Sequence, residues 1–337
     1  MNTDTVINNL FSSEEPSVRY KMRVNVLGED EDSSNIRKLR SEIRQSTRVK
    51  KILSYRDKDG RISRGRDVYD KWKGAHWTLS ALADIGYPAE DKSLNSLKEQ
   101  VLEFWLRDVY FIDAEIKSKS DLSKKSGVPV INGRHRVCAS MYGNTLYYLT
   151  RLGLFDKRLD SLAERLLHWQ WDDGGWNCDK NPEAKNSSYM ESLLPLRGLS
   201  IYSKYSDNKK IHIAVKKAAE IFLKRKLFRK VSDGSVMKDE FLALHYPLYW
   251  HYDILGGLKA MAEAGFIKDR RCTEALDLLE SKALPAGGWA AEKKYYTVSD
   301  DFIMNADSVG WGETGKRKMN EWVTADALYV LKSAGRI

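Results

Sequence analysis

Five stretches of this chain share one form, a helical run with small residues in which apolar positions recur three and four apart: HWTLSALADIGYP (76–88), GNTLYYLTRLGLFD (143–156), MESLLPLRGLSIYSKY (190–205), YDILGGLKAMAEAGFIKD (252–269) and VTADALYVLKSAGRI (323–337). They are apolar around much of their circumference, as helices covered on two sides must be. Between them lie plainly amphipathic stretches: LNSLKEQVLEFWL (94–106), LDSLAERLLHWQ (159–170), IAVKKAAEIFLKRKLF (213–228) and CTEALDLLESKAL (272–284). An earlier one, 34–55, reads as a single helix. Four of these outer helices run into Asp-Gly or Gly-Gly turns (RDKDGRIS, WDDGGWN, VSDGSVM, LPAGGWA), which suit a sharp reversal with positive φ.

The unit is therefore one buried helix, one exposed helix and one glycine turn, repeated. EEPSVRYKMRVNVLG (14–28) reads as a further inner helix, resembles the opening of a HEAT repeat, and brings the inner helices to six. That count points to an all-α fold, an (α/α)6 toroid of helical hairpins with a HEAT-like first hairpin, or else to an open solenoid. No strand-rich region or Pro/Gly-rich linker interrupts the pattern, so 1–337 reads as one domain. The long polar segment 112–133 is a candidate lid or mobile connection over the mouth of the ring.

The net charge of +9 raises nucleic acid as a partner, but the 56 Lys and Arg are interleaved with 47 Asp and Glu, and the densest basic stretches look like helix ends; this argues against it. No apolar run is long enough to span a membrane, and the first residues lack the pattern of a secretion signal. Three scattered cysteines do not make a disulfide framework, so a reducing cytoplasm is the expected location.

QWDDGGWN (170–177) resembles the Q-W signature of the terpene cyclase and protein prenyltransferase superfamily, and GGWAAE (287–292) resembles a degenerate copy. The resemblance implies the toroid, with Gln170, Asp173, Gly174, Gly175 and Trp176 forming a structural turn that ties hairpins together. It also implies a prenyltransferase-like or cyclase-like chemistry. The chain has no DxDD acid motif and no DDxxD magnesium-diphosphate motif, which argues against an ordinary cyclase.

In a closed ring the heads of the inner helices meet at one mouth. Those heads carry Trp72, His76, Trp77, Arg134, Arg136, Cys138, Cys178, Glu191, His245, Trp250, His251, Asp253, Glu321 and Trp322. Aromatic walls with a few convergent polar groups suit a small-molecule cavity. Trp72, Trp77, Trp250 and Trp322 would hold an apolar or cationic body, and Arg134 and Arg136 an anionic head, with His76, Glu191 and His245 at the rim.

Cys138, Cys178 and His251 head three consecutive inner helices, and a Cys/Cys/His set leaves tetrahedral zinc an open position. Protein prenyltransferases similarly hold zinc with Asp, Cys and His at inner-helix heads; here the order around Cys178 differs from theirs. The expected function is thus a prenyltransferase-like or cyclase-like enzyme for an isoprenoid-like ligand with an anionic head; its catalytic candidates are His251, within a zinc set of Cys138, Cys178 and His251 if zinc binds, and otherwise Asp253 or Glu321 as general acid. Two alternatives stay open. A glycan-active (α/α)6 hydrolase or lyase would draw its acid and base from Asp179, Glu191, Asp253, Glu321 and Asp326. A non-catalytic helical-repeat binding protein would have its cavity plugged by side chains.

Overall fold

The computed structural model describes residues 3–65 and 67–337 and is mostly helical. From the N-terminus run α1 (Thr3–Phe11), α2 (Pro16–Tyr20) passing into a π-helix (Lys21–Val26), α3 (Ser34–Gln45), α4 (Thr47–Leu53), α5 (Ala75–Asp84) and α6 (Asn95–Trp105). There follow β1 (Asp113–Glu115), α7 (Asp121–Lys124), β2 (Val128–Ile131), β3 (Arg134–His135), α8 (Ala139–Arg151), α9 (Arg158–Trp169), α10 (Tyr189–Tyr202) and α11 (Lys209–Leu223). The chain ends with α12 (Ile254–Glu263), α13 (Thr273–Ser281), β4 (Thr297–Val298), β5 (Ala306–Asp307) and α14 (Glu321–Ala334). No described helix is long and apolar enough to cross a membrane.

The helices read as inner are the buried ones. α8 is buried on every face from Ala139 to Thr150, and α10, α12 and α14 are nearly so. α5 packs on α8, α8 on α10, α10 on α12, α12 on α14, and α14 returns to the π-helix. The amphipathic helices lie outside them: α3 on α2, α6 on α5, α9 on α8, α11 on α10 and α13 on α12. α8 and α10 approach most closely where Gly143 and Gly198 meet. A Cβ on Gly198 would lie 2.1 Å from the Gly143 carbonyl oxygen, and one on Gly143 would lie 2.2 Å from the backbone nitrogen of Pro195.

One expectation needs correction. The stretch 34–55 is not one helix: it breaks at Ser46, whose backbone is extended and whose hydroxyl accepts from Val49 N to cap α4. The segment 112–133, read as a candidate lid or mobile connection, carries two strands and a short helix. Asp113–Glu115 pairs parallel with β2, and β2 pairs antiparallel with β3, giving a three-stranded sheet; β4 and β5 form a second, two-stranded one. Gly127, Val128 and Pro129, at the edge of the first sheet, line a cleft.

The glycine turns act as clamps. Gln170 donates its amide Nε2 to the carbonyls of Gly174 (2.8 Å) and of Ala214 on α11 (3.0 Å). Asp173 accepts from Ser187 N and Oγ, holding the approach to α10. Trp176 is buried; its indole donates to Leu166 O on α9, its backbone N–H to Ser192 Oγ on α10, and its carbonyl accepts from Ser188 N. Trp289 repeats each bond one hairpin pair later: indole to Leu279 O, N–H to Thr324 Oγ1, carbonyl from Asn320 N. The two motifs are thus equivalent stitches between an outer helix and the next inner one.

Where the inner helices converge, the centre is ionic rather than apolar. Lys21 Nζ lies 2.9 Å from Asp84 and 3.1 Å from Asp326; Lys259 Nζ lies 3.1 Å from Asp84 and 2.8 Å from Asp326. Each lysine touches both aspartates and each aspartate both lysines, so the four charges close a ring joining the π-helix, α5, α12 and α14. Arg197 of α10 pairs with Glu263 of α12 alongside. Two spaces flank these groups, of about 50 Å³ and about 260 Å³.

Burial would raise the Asp84 carboxyl, but Lys21, Lys259 and Arg197 outweigh it and hold it well below the ordinary range. Burial would lower Lys259, and Asp326 and Asp84 instead hold it above its ordinary value. Asp84 therefore stabilises the fold above the unfolded carboxylate pKa of about 3.9 and loses that effect as pH falls. Lys259 stabilises below the unfolded lysine pKa of about 10.4 and loses its effect as pH rises through its raised folded value. Urea titrations across pH should show a stability plateau that drops on the acid side below about pH 4.

Lys259→Met leaves two buried carboxylates sharing one lysine and should cost about 3–5 kcal/mol. A variant as stable as the parent would contradict the ring. Gly198→Ala should cost about 1–3 kcal/mol in the same titration, because neither backbone can yield easily where α8 and α10 cross.

Candidate functional site

The cleft that brings reactive groups together lies at the heads of α8 and α10. Its position follows from one backbone contact: Arg136 and Asn177 form a parallel bridge, with Val137 N donating to Asn177 O at 3.3 Å. Two residues beyond Arg136 is Cys138, which occupies the N-cap position of α8, and one residue beyond Asn177 is Cys178. Glu191 enters from the first turn of α10. One ligand atom from each of Cys138, Cys178 and Glu191 lies within 4.8 Å of the other two.

Glu191 is held from behind. Its Oε2 accepts from Ser140 N (3.0 Å) and Ser140 Oγ (2.8 Å), both in the first turn of α8. Burial raises the Glu191 carboxyl above its ordinary value despite those bonds. The hydrogen bond with Cys178 lowers the Cys138 thiol, while the same bond and burial push Cys178 far up. Cys138 is exposed, Cys178 half-buried, and Cys272, alone under α13, is pushed up to about 12 by burial.

The opening in front of this cluster has a volume of about 670 Å³. Phe104, Trp105, Tyr110, Tyr142 and Trp250 give it an aromatic lining. Several buried polar atoms of its lining residues have no hydrogen-bond partner among the described residues: the indole nitrogens of Trp105 and Trp250, the Tyr142 hydroxyl, and Nε and Nη1 of Arg136. Arg136 is buried, is tethered only through Nη2 to Ala184 O (3.0 Å), and its guanidinium lies 4.6 Å from the Trp171 ring centroid. A buried guanidinium with free donors favours an anionic group in planar, two-point contact.

Of the residues expected at the mouth, Arg136, Cys138, Cys178, Glu191 and Trp250 share this cleft. The others serve the packing. His251 does not join the cysteines: its ring is stacked between Trp250 (centroids 4.0 Å apart) and Tyr295 (3.6 Å), and burial pushes it down to about 3. The metal set read as Cys138, Cys178 and His251 is replaced in the structure by Cys138, Cys178 and Glu191.

Asp253 caps α12 through Gly256 N (2.7 Å), and it holds both the backbone N–H and Nδ1 of His245, each at 2.8 Å. Neither residue lines the cleft. Glu321 begins α14 and accepts from Ser13 Oγ at 3.0 Å. His76 is fully buried, hydrogen-bonded to Asn144 and Tyr148, and pushed down to about 3 by burial. Trp72 stacks on Tyr249 at 3.7 Å, Trp77 donates to Tyr69 O, and Trp322 stacks on Tyr246. Arg134 lies over the Trp171 ring, 5.6 Å from its centroid, and does not line the cleft. Asp326 belongs to the ionic ring.

Sequence reasoning missed Trp105, Tyr110 and Tyr142. They sit in or just after helices whose aromatic positions read as ordinary core, and only the fold shows that they flank an opening. Glu191 stood among the candidate ligand contacts; its two bonds to Ser140, which no spacing rule announces, are what aim it at the cysteines.

The chain matches no protein-family model, no curated protein and no solved structure.

With no metal added, Cys138 should be the most reactive thiol, since it alone combines exposure with a lowered pKa. Limited iodoacetamide treatment followed by peptide mapping should label Cys138 well before Cys178 or Cys272. The pH midpoint of that labelling should fall below the ordinary thiol value of about 8.5. Equal labelling of Cys138 and Cys178, or a midpoint above that value, would remove the asymmetry.

Proposed function

We propose that the chain is an enzyme built as an (α/α)6 toroid, with its active site in the aromatic cleft at the heads of α8 and α10. Its substrate is a small molecule with an apolar body and an anionic end. The reading is of a prenyltransferase-like group transfer, supported by the tryptophan turns and by the cyclic order in which the inner helices pack. The single observation that carries it is the convergence of Cys138, Cys178 and Glu191 on the cleft that also holds the unpaired Arg136 donors.

The donor set fits zinc. Two sulfurs and one carboxylate oxygen make three ligands and leave a fourth position for water or a substrate thiol. Ser140 fixes the carboxylate as outer hydrogen bonds typically orient ligands around a metal. Bound there, zinc would supply a lowered pKa to the water or thiol in the open position. Phe104, Trp105, Tyr110 and Trp250 would bind and desolvate the apolar body, and their faces would accommodate cationic character developing at the reacting carbon. Arg136 would receive the anionic end, through Nε and Nη1, as it departs. In this placement the ionic ring is scaffold, and the reaction occurs at the rim of the inner helices rather than along their centre.

The test is metal content and activity-independent binding on tag-free protein. Zinc should bind with high affinity in a site that gives a thiolate-to-metal absorption band when cobalt replaces zinc, and Cys178→Ser should abolish the band. Arg136→Met should leave that band intact while weakening binding of a short-chain alkyl pyrophosphate by roughly tenfold or more. Absence of the cobalt–thiolate band in the parent would end the metal reading of the cleft.

A further inference from the structure

A second convergence of metal-binding side chains lies outside the cleft, on residues for which the proposed reaction has no use. Asp113 is the first residue of β1, His135 the last of β3, and His168 sits in the last turn of α9. Both imidazoles turn Nε2 toward the same carboxylate: His168 Nε2 is 2.8 Å from Asp113 Oδ2, and His135 Nε2 is 3.2 Å from Oδ1. The ring centroids are 4.5 Å apart at an angle of 56°. One ligand atom from each of the three residues lies within 4.8 Å of the others.

We propose that Asp113, His135 and His168 form a binding site for a divalent transition-metal ion, which clips the three-stranded sheet to α9. The chemistry of the donors selects the class of ion. Two imidazole nitrogens and one carboxylate oxygen suit zinc and its first-row neighbours, whereas magnesium and calcium prefer oxygen alone. Asp113 and His168 are partly exposed, so water can complete the coordination shell.

One nitrogen of this cluster is left without a hydrogen-bond partner among the described residues. His135 Nε2 is buried and makes no well-directed hydrogen bond, although it faces the carboxylate at ion-pair distance. An ion between the two imidazoles and Asp113 would satisfy all three groups at once.

The position gives the site a consequence. β2, between β1 and β3, carries Val128 and Pro129 into the wall of the cleft, and the chain leaves β3 directly into Arg136, Val137 and Cys138. His135 is anchored a second time, through its carbonyl, to the Trp171 indole at 2.9 Å. An ion bridging Asp113, His135 and His168 would therefore hold that wall against α9 and the Gln170 turn that follows it. The clip does not depend on the reading of the cleft as an active site, because it needs neither cysteine.

The experiment uses tag-free full-length chain, stripped with chelator and titrated with zinc chloride alone by calorimetry. The background variant is Cys138→Ser/Cys178→Ser, which removes the cleft thiols. In that background we expect roughly one equivalent of zinc to bind, to raise the melting temperature, and to give with cobalt a spectrum lacking any thiolate band.

Adding His168→Gln should weaken that binding by at least about tenfold, and adding His135→Ala as well should abolish it. His168 is on the surface, so its replacement tests binding without endangering folding, and far-ultraviolet circular dichroism of the metal-free chains checks this. No zinc binding by the folded double-serine chain would overturn the clip. So would undiminished binding after both histidines are replaced. Loss of the cobalt–thiolate band with retention of the histidine-dependent equivalent would separate the two sites, leaving the clip standing whatever becomes of the cleft.

Discussion

Two lysines and two aspartates, each touching both members of the opposite pair, occupy the place where the inner helices converge. Charges taken from water are tolerated only when they are paired and saturated, so this ring dictates which helices can be neighbours. Lys21, Asp84, Lys259 and Asp326 come from four separate helices, and a register slip in any one would strand the charges of the others. The apolar contacts between these helices would tolerate a slide of a residue or so; the ring would not. This kind of specificity carries little net stability of its own, but loss of any member is expensive.

The periphery is held by a different device. Trp176 and Trp289 each donate an indole N–H to the carbonyl of the residue ten positions earlier and a backbone N–H to a hydroxyl on the following inner helix. Each turn thus ties three successive pieces of chain with bonds shielded from solvent. The ionic ring sets the relative heights of the inner helices, and the tryptophan turns set how each outer helix lies against them. The cleft lies beside the first of these turns. Directly after Trp176, Asn177 bridges to Arg136, and Cys178 lies close to Cys138 and Glu191.

Most of the helical pattern could be read directly from residue spacing. The alternation of buried and amphipathic helices survives in the structure with ends shifted by a few residues, because it rests on the 3.6-residue period, which local sequence carries in full. The turn at 170–176 was legible for the same reason: glycine, aspartate and tryptophan at short range have local consequences. Lys21 and Lys259 were not legible. A lysine within an apolar run reads as a solvated side chain, and only the partner carboxylates, 63 and 67 residues away in sequence for the nearest pairs, change its meaning. The break at Ser46 was missed because a serine amid helix-forming residues does not disclose whether it interrupts or caps.

The structure brings the two cysteines together and sets Glu191, not His251, beside them. His251 heads the right helix, but its backbone approach turns the ring into a stack with Trp250 and Tyr295, whereas Glu191, one turn into α10, is drawn to the cysteines by Ser140. Histidine stood out as a ligand type, while a glutamate in a first helical turn has a ready explanation in the helix dipole, and that explanation hid its role. The tryptophans erred in the opposite direction. Trp72, Trp77 and Trp322 are large enough to line a cavity, but each has a ring or carbonyl partner in the core that absorbs it.

What separates Trp250 from those three is the unpartnered indole nitrogen beside an open volume. The same criterion selects Tyr142, Trp105 and Arg136 and rejects His76 and Asp253, whose hydrogen bonds are already filled. Residue type proposes a site, but unspent bonding capacity next to space is what distinguishes a group waiting for a ligand from one that holds the fold together.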